Sequence, residues 1–477
     1  MSRPRLDESR TKIVATVGPA CESPEKLGEL IEAGVSLFRV NTAHGSREDH
    51  QRKLDAVRQA SDRSGFPAAV LLDLAGPKIR LGELPEDPHH CEVDTKYTFV
   101  RGTESDDPHR LTSTYARLID ELSVGDRVML ADGLVGMEVV STSQDEAVCV
   151  VYAAGTIRSR QGINLPGAKL SVSSMLPKDI EAAIWAAQQG VDWISLSFVR
   201  SAEDVQSLKK LLSSYDSSAM VIAKIEKPEA MANLESIVDA ADGVMVARGD
   251  LGVEIDVAET PMAQKEIIRV CKQKVKPVIV ATQMLESMHN HTRPTRAEAS
   301  DVANAILDGA DACMLSGETA IGKHPIASVR MMQRIMLATE KSSPDVGDDW
   351  RHCDRRVQRV TTAVTEAAVS IAESIDAKMI VIATRSGNTA WISSQSRTRI
   401  PTVGVSTSPA TLRRMNLLWG VRPLQAANLS DNEELVAEVR RWSETSRPLK
   451  SGDRIVLVKG TGVIQKAHNT VLVHTIE

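Results

Sequence analysis

Two segments of the chain carry charge where an apolar run ends. AKIEKPEA places Lys224 two residues before Glu226, and VMVARGDLGVEI runs straight into Arg248, Gly249 and Asp250. Extended backbone alternates its faces with a period of two, so Lys224 and Glu226 project to the same side. Glu226 and Asp250, if brought together, are hard oxygen ligands suited to Mg2+ or Mn2+, ions that keep several waters and take other ligands from a substrate. An ammonium beside such an ion suits stabilisation of oxygens on a migrating phosphoryl group or on an enolate. Neighbouring acids hold Lys224 protonated, which disfavours a Schiff-base role. The plainer alternative is a structural ion pair of Glu226 with Lys224 or Arg248, and the residue types alone leave it open. The glycines of GDLGVEI give either a tight turn or the start of a short helix, whose first N–H groups would hold a substrate carboxylate.

Charges so far apart in sequence need a scaffold. Short runs rich in β-branched residues recur with helical patterns between them: TKIVATVG, LFRVNTA, AAVLLDL, WISLSF, MVIAKIE, GVMVARGD, PVIVATQ and ACMLSGE. Most are apolar without alternation, as strands buried on both faces are. Many intervening helices end at a Gly or Asp just before the next strand, the position of a helix C-cap. Eight strand–helix units predict a (β/α)8 barrel, whose active face is formed by the C-terminal strand ends. Those ends carry Arg39, Asn41 and His44 on the second strand and Asp73, Lys78 and Arg80 on the third. Lys224 and Glu226 follow on the fifth, Arg248 and Asp250 on the sixth, Thr282 and Gln283 on the seventh, and Ser316 and Glu318 on the eighth. One mouth thus collects carboxylates, cations and hydroxyls, and the charges at 248 and 250 are read as part of a site.

The rhythm breaks after the third strand. Residues 81–166 turn to short alternating strands with turn dipeptides, which reads as an inserted all-β domain. The barrel then comprises 1–80 and 167–339. Beyond it, the polar stretch 340–356 reads as a linker. The remainder, within 340–477, reads as a separate α/β domain.

Across 477 residues the apolar share is 42% and the charged share 25%, ordinary for a water-soluble globular protein, while aromatics at 3% leave the core to Val, Ile, Leu, Ala and Met. A net charge of -6 argues against a general nucleic-acid surface. Six dispersed cysteines, Cys21, Cys91, Cys149, Cys271, Cys313 and Cys353, form no C-x-x-C pair and suit reduced thiols. The first residues lack an apolar signal core and no apolar run reaches membrane-spanning length, so a cytoplasmic protein is expected, without nucleic-acid or membrane partners.

Several longer blocks resemble the pyruvate kinase family. They are TKIVATVGPAC, FRVNTAHG, LDLAGPKIR, AKIEKPEA, MVARGDLGVEI, ATQMLESM and RPTRAEASDVANAILDGADACMLSGETAIGKHP. The resemblance runs from about Thr11 to the C-terminus and is strongest across the barrel. It implies phosphoryl transfer from phosphoenolpyruvate to ADP, giving pyruvate and ATP. It implies that Lys224 neutralises phosphoryl and enolate oxygens, that Glu226 and Asp250 bind Mg2+ or Mn2+, and that Arg39 contacts the phosphate. The backbone around Gly249 and Asp250, with the Thr282 hydroxyl, would hold the substrate carboxylate. Thr282, Ser316 and Glu318 would form the route that protonates the enolate, with the delivering group left open. Asn41, His44, Arg80, Asp132 and Arg160 would lie on the nucleotide side, beneath an insert acting as a lid. The family also implies a homotetramer.

The chain departs from the family pattern in places. Many members bind K+ through a serine where this chain has Ala43, and carry glutamate where it has Lys78. An ammonium in the space of a monovalent cation, in a region with Asn41 and Asp73, implies activity without K+. Gln161 replaces the second member of a basic pair, which bears on nucleotide contacts. In the last domain, the loop Thr384, Arg385, Ser386, Gly387, Asn388 and Thr389 resembles the family's effector loop, which takes a sugar phosphate or AMP. The final loop, 459–470, does not match fructose bisphosphate binders, so the effector's identity is open. Two rivals stand beside this reading: a metal-dependent pyruvate-enolate lyase or aldolase on the same barrel, and a catalytically weakened metabolite-binding paralogue.

Overall fold

The eight apolar runs pair side by side because each is buried on both faces. In the computed structural model, which describes residues 8–168, 171–342, 359–444, 448–460 and 470–477, they close into a parallel barrel. In chain order the strands are Lys12–Thr16, Val35–Asn41, Ala69–Asp73, Trp193–Leu196, Met220–Ile225, Gly243–Ala247, Val278–Ala281 and Ala312–Leu315. Alternate side chains divide between two cores. Val14, Leu37, Leu71, Trp193, Ile222, Met245 and Ile279 fill the barrel, while Ile13, Phe38, Val70, Ile194, Val221 and Val280 face the outer helices. With so few aromatics, Trp193 is the largest fully buried side chain.

Local chemistry sets the helix limits. Ser46 and Asp49 form a capping box at the start of Arg47–Ser64, Thr295 and Glu298 do so for Arg296–Asp308, and Gly65 and Gly309 end these helices in the left-handed region. Each such cap contributes about 1 kcal/mol. The aspartates just before strands do something other than cap helices. Asp192, Asp242 and Asp311 precede the fourth, sixth and eighth strands and accept backbone N–H bonds from Val70, Val221 and Val278, each on the strand before, at 2.9 Å. They close the barrel's N-terminal edge.

The insert between the third and fourth strands is a six-stranded sheet and a two-stranded sheet around Tyr97, Phe99, Val128, Leu130, Met137 and Val151. It also contains one short helical turn, Leu118–Glu121, which its alternating pattern did not announce. The helix Pro325–Ser342 crosses the 339/340 division. Most of the linker at 340–356, Cys353 and most of the final loop lie outside the described residues. The last domain is a five-stranded sheet, four parallel strands with the antiparallel edge Thr470–Thr475, and apolar clusters on both faces. Its Trp391 and Leu417 pack onto the barrel's inner core at the N-terminal end. The five described cysteines are free and buried. Among the described residues no helix is long and apolar enough to cross a membrane.

Candidate active site at the barrel mouth

Strand register brings the first group together. Arg39 is in register with Thr16, and Asp73 with both Asn41 and Ser195. Asp73, only 1% exposed, accepts from Arg39 Nε at 2.7 Å and from Ser195 Oγ at 2.6 Å, and Arg39 Nη1 donates to Thr16 Oγ1 at 3.1 Å. Lys224 Nζ lies 3.5 Å from Asp73 Oδ1 and 2.8 Å from Glu226 Oε1, and donates to Ser197 Oγ at 2.7 Å. Burial alone would raise the Asp73 carboxyl, but Lys224, Arg39 and Ser195 together hold it below the usual range. Burial works against a charged Lys224, yet Asp73 and Glu226 outweigh it and keep the ammonium firmly protonated.

Glu226 is fully buried. Its Oε2 accepts the Phe198 N–H at 2.6 Å. Its Oε1, though near Lys224, has no aligned hydrogen-bond donor among the described residues. Burial raises this carboxyl, Lys224 opposes the rise, and the nearby Asp250 carboxylate adds to it. Two acids that repel one another, one of them buried with a single ammonium against its Oε1, fit a divalent cation. Asp250, partly exposed, meets Lys78 Nζ at 3.2 Å. The structural ion pair foreseen between Glu226 and Lys224 is also present, so pairing and metal binding are not exclusive.

The two charges that end the sixth strand part ways. GDLGVEI starts a helix, Arg248–Glu254, rather than a bare turn. Asp250 joins the mouth, whereas Arg248 turns aside as a brace, donating to Asp301 at 2.7 Å and to the Thr282 carbonyl at 2.7 Å. That brace holds Thr282 and Gln283 in the left-handed region, at φ 67° and 55°. Thr282 Oγ1 consequently accepts the Gly249 N–H at 2.8 Å.

Glu318, 1% exposed, accepts the Leu285 and Ser316 N–H groups at 3.1 and 2.7 Å, and Ser316 Oγ is buried without a partner among the described residues. Asn41 Oδ1 accepts the Ala43 N–H at 3.0 Å. His44 is held below the usual imidazole range by burial and by Arg80, Lys53, Arg39 and Lys78, a cationic surround. Arg80 Nη1 donates to the Arg160 carbonyl at 3.0 Å, while the exposed Arg160 side chain pairs with Glu83. Asp132 sits in the turn after the insert strand Arg127–Leu130, at φ 53°, and neighbouring Gly133 lies over Val253 of the helix Arg248–Glu254. Asn164 Nδ2 and Lys227 Nζ both donate to buried Glu254, at 3.1 and 2.6 Å, tying the insert to the barrel.

In the last domain, Thr384 Oγ1 accepts the Gly387 N–H at 3.1 Å and Thr411 Oγ1 donates to the Arg385 carbonyl at 2.8 Å. Gly387 is left-handed, at φ 89°, and Asn388 and Thr389 open the helix Asn388–Ser394, with Ser386 Oγ accepting the Asn388 N–H.

Ser195 and Ser197 escaped notice in the sequence. Their signal was present: hydroxyls two apart at the end of WISLSF share one face.

Comparison with known proteins agrees with this geometry. Residues 8–329 match the family model described as pyruvate kinase, barrel domain, and residues 362–474 that described as pyruvate kinase, alpha/beta domain. A pyruvate kinase of Geobacillus stearothermophilus is 39% identical over 98% of this chain and 80% of its own length. One from Mycobacterium tuberculosis is 41% identical over 94% of this chain and 95% of its own. The crystal structure of a pyruvate kinase from Cryptosporidium parvum superposes with a TM-score of 0.92 at 33% identity, covering 98% of this chain and 97% of that one. A barrel mouth that gathers an ammonium between acids, and matches of this length on both domains, agree: the chain is an enzyme of the pyruvate kinase family.

Proposed function

We propose that this enzyme transfers the phosphoryl group of phosphoenolpyruvate to ADP, forming pyruvate and ATP. The observation that carries the reading is the buried Lys224, held between Asp73 and Glu226 at the barrel mouth. Phosphoryl transfer needs positioning and charge neutralisation more than covalent catalysis. Lys224 and Arg39 supply fixed positive charge to the phosphoryl oxygens, and Lys224 then steadies the enolate oxygen. Glu226 and Asp250 would hold Mg2+ or Mn2+, which supplies further neutralisation of phosphoryl and carboxylate charge when bound. The Thr282 hydroxyl and the first turn of Arg248–Glu254 hold the substrate carboxylate, and Thr282, Ser316 and Glu318 form the side from which the enolate is protonated. His44, kept neutral, and Arg80, with Asn41, Asp132 and Arg160, face the nucleotide. The insert closes as a lid that excludes water.

Lys78 supports activity without K+. Its ammonium already stands against Asp250, and Asn41 already accepts from the Ala43 backbone. The loop 384–389 is proposed to take a sugar phosphate or AMP, the assembly a homotetramer, and the location the cytoplasm. A coupled phosphoenolpyruvate/ADP assay in tetramethylammonium buffer tests the core reading. ATP formation with little response to added KCl is expected. A many-fold rise on adding KCl rejects the role of Lys78, and absence of ATP at any K+ rejects the function.

A further inference from the structure

His289 ends the 3-10 turn Glu286–His289, which follows the seventh barrel strand. Its ring lies against Gly317: a Cβ there would fall 2.1 Å from Cε1 and 2.2 Å from Nε2. Nε2 is buried and has no hydrogen-bond partner among the described residues. Two carboxylates flank it. Glu286 Oε1 is 3.7 Å from Nε2, and one ring nitrogen with one oxygen each of Glu286 and Glu318 lie within 4.8 Å of one another. Glu286 is exposed and Glu318 buried. The His289 carbonyl accepts the Lys323 N–H at 2.8 Å, which fixes the turn against the segment after the eighth strand.

Ser316, whose N–H donates to Glu318 Oε2 at 2.7 Å, has an Oγ that is also buried and without a partner among the described residues. Buried polar atoms without partners are uncommon, and here two of them belong to residues that neighbour one buried carboxyl, Glu318. A cation could also gather two carboxylates and an imidazole. Both Glu318 oxygens, however, already accept backbone N–H bonds, from Leu285 and Ser316, which leaves fewer lone pairs for an ion.

We propose that His289 is a positioning residue that resupplies Glu318 with a proton, taken from solvent on the Glu286 side, so that Ser316 can protonate the enolate at its methylene carbon. This rests on the phosphoenolpyruvate reading above. The C–H bond forms as the Ser316 O–H bond breaks. Ser316 regains a proton from Glu318, Glu318 regains one from the His289 imidazolium, and the ring is reloaded from water. One proton moves at each step and nothing is oxidised or reduced. Burial, with a smaller push from Glu286, holds the Glu318 carboxyl above the usual range, which favours a proton there. The gaps exceed hydrogen-bond length, as catalytic contacts commonly do before the substrate complex forms.

Exchange of pyruvate methyl protons for deuterium, followed by NMR on the full chain with ATP and Mg2+ in D2O, isolates the protonation step. His289→Leu is expected to slow exchange about tenfold, to slow ATP formation less, and to leave KM for phosphoenolpyruvate within about twofold. His289→Gln keeps a hydrogen-bonding side chain but no group that gains and loses a proton near neutral pH, and is expected to be as slow as His289→Leu. Wild-type exchange in either variant, with ATP still formed by the unsubstituted enzyme, overturns the role of His289 alone. An unsubstituted enzyme that forms no ATP overturns the underlying reading as well.

Discussion

The two ends of the barrel both bury charge, and they use it differently. At the N-terminal end buried cations are tied to carboxylates and carbonyls across the two domains. Lys12 Nζ donates to the Val421 carbonyl at 2.6 Å, Arg413 Nε to Asp192 at 2.7 Å, and Arg397 to Asp311 at 3.0 Å and to the Gly309 carbonyl at 2.9 Å. Trp391 Nε1 donates to the Val275 carbonyl at 2.7 Å, and its ring centroid is 6.0 Å from that of Trp193. These bonds fasten the last domain to the barrel floor. At the mouth, Lys224 is shared between Asp73 and Glu226, and among the described residues Ser316 Oγ is left without a partner. Charge paired across two domains holds a structure together, whereas charge gathered around an open mouth is available to a substrate.

The same change, a buried cation to methionine, breaks the two ends in different ways. Lys224→Met is expected to lower turnover on the order of 10^3-fold or more, because transition-state charge loses its nearest fixed counter-charge. The protein should still fold, since Arg39 and Ser195 continue to answer Asp73. Near-normal turnover would remove Lys224 from the mechanism. Arg397→Met should instead cost about 3 kcal/mol of stability by leaving Asp311 without its cation, with kcat per folded molecule close to that of the unsubstituted enzyme. Denaturant titration and turnover measured on both variants would expose any confusion of the two roles.

Acidity sharpens the contrast by a smaller amount. Asp73 is held below the usual carboxylate range despite its burial, whereas burial holds Asp311 above it despite Arg397. The Asp73 contribution to stability is present above the ordinary carboxylate pKa and lost as pH falls through the depressed value. The Asp311 contribution is full below the ordinary pKa and lost as pH rises through the raised value. Thermal midpoints across the acid range should therefore show Asp73→Asn losing less than the unsubstituted protein on acidification. Asp311→Asn should gain relative to it as pH rises. Parallel curves for all three proteins would contradict these opposite signs.

The barrel was legible because strands buried on both faces leave unbroken apolar runs, and because the charges ending them fall at fixed places in a (β/α)8 order. The floor was not. Asp192, Asp242 and Asp311 look like helix C-caps in sequence, and only the lateral pairing of strands reveals that each closes its neighbour's edge. At the mouth, Arg248 and Asp250 look equivalent two residues apart, yet one side chain turns to Asp301 and the other to the site. A helix starting at Arg248 separates their directions, and neither charge announces that alone. Ser195 and Ser197 were hidden by their small size within an apolar strand.

Direct Mn2+ titration, by calorimetry or electron paramagnetic resonance in the presence of phosphoenolpyruvate, bears most closely on the convergence of Lys224, Glu226 and Asp250 around one ion. The unsubstituted enzyme should bind Mn2+, and Glu226→Gln should weaken binding about 10–100-fold with the fold intact. Equal Mn2+ affinity in the two proteins would contradict the site.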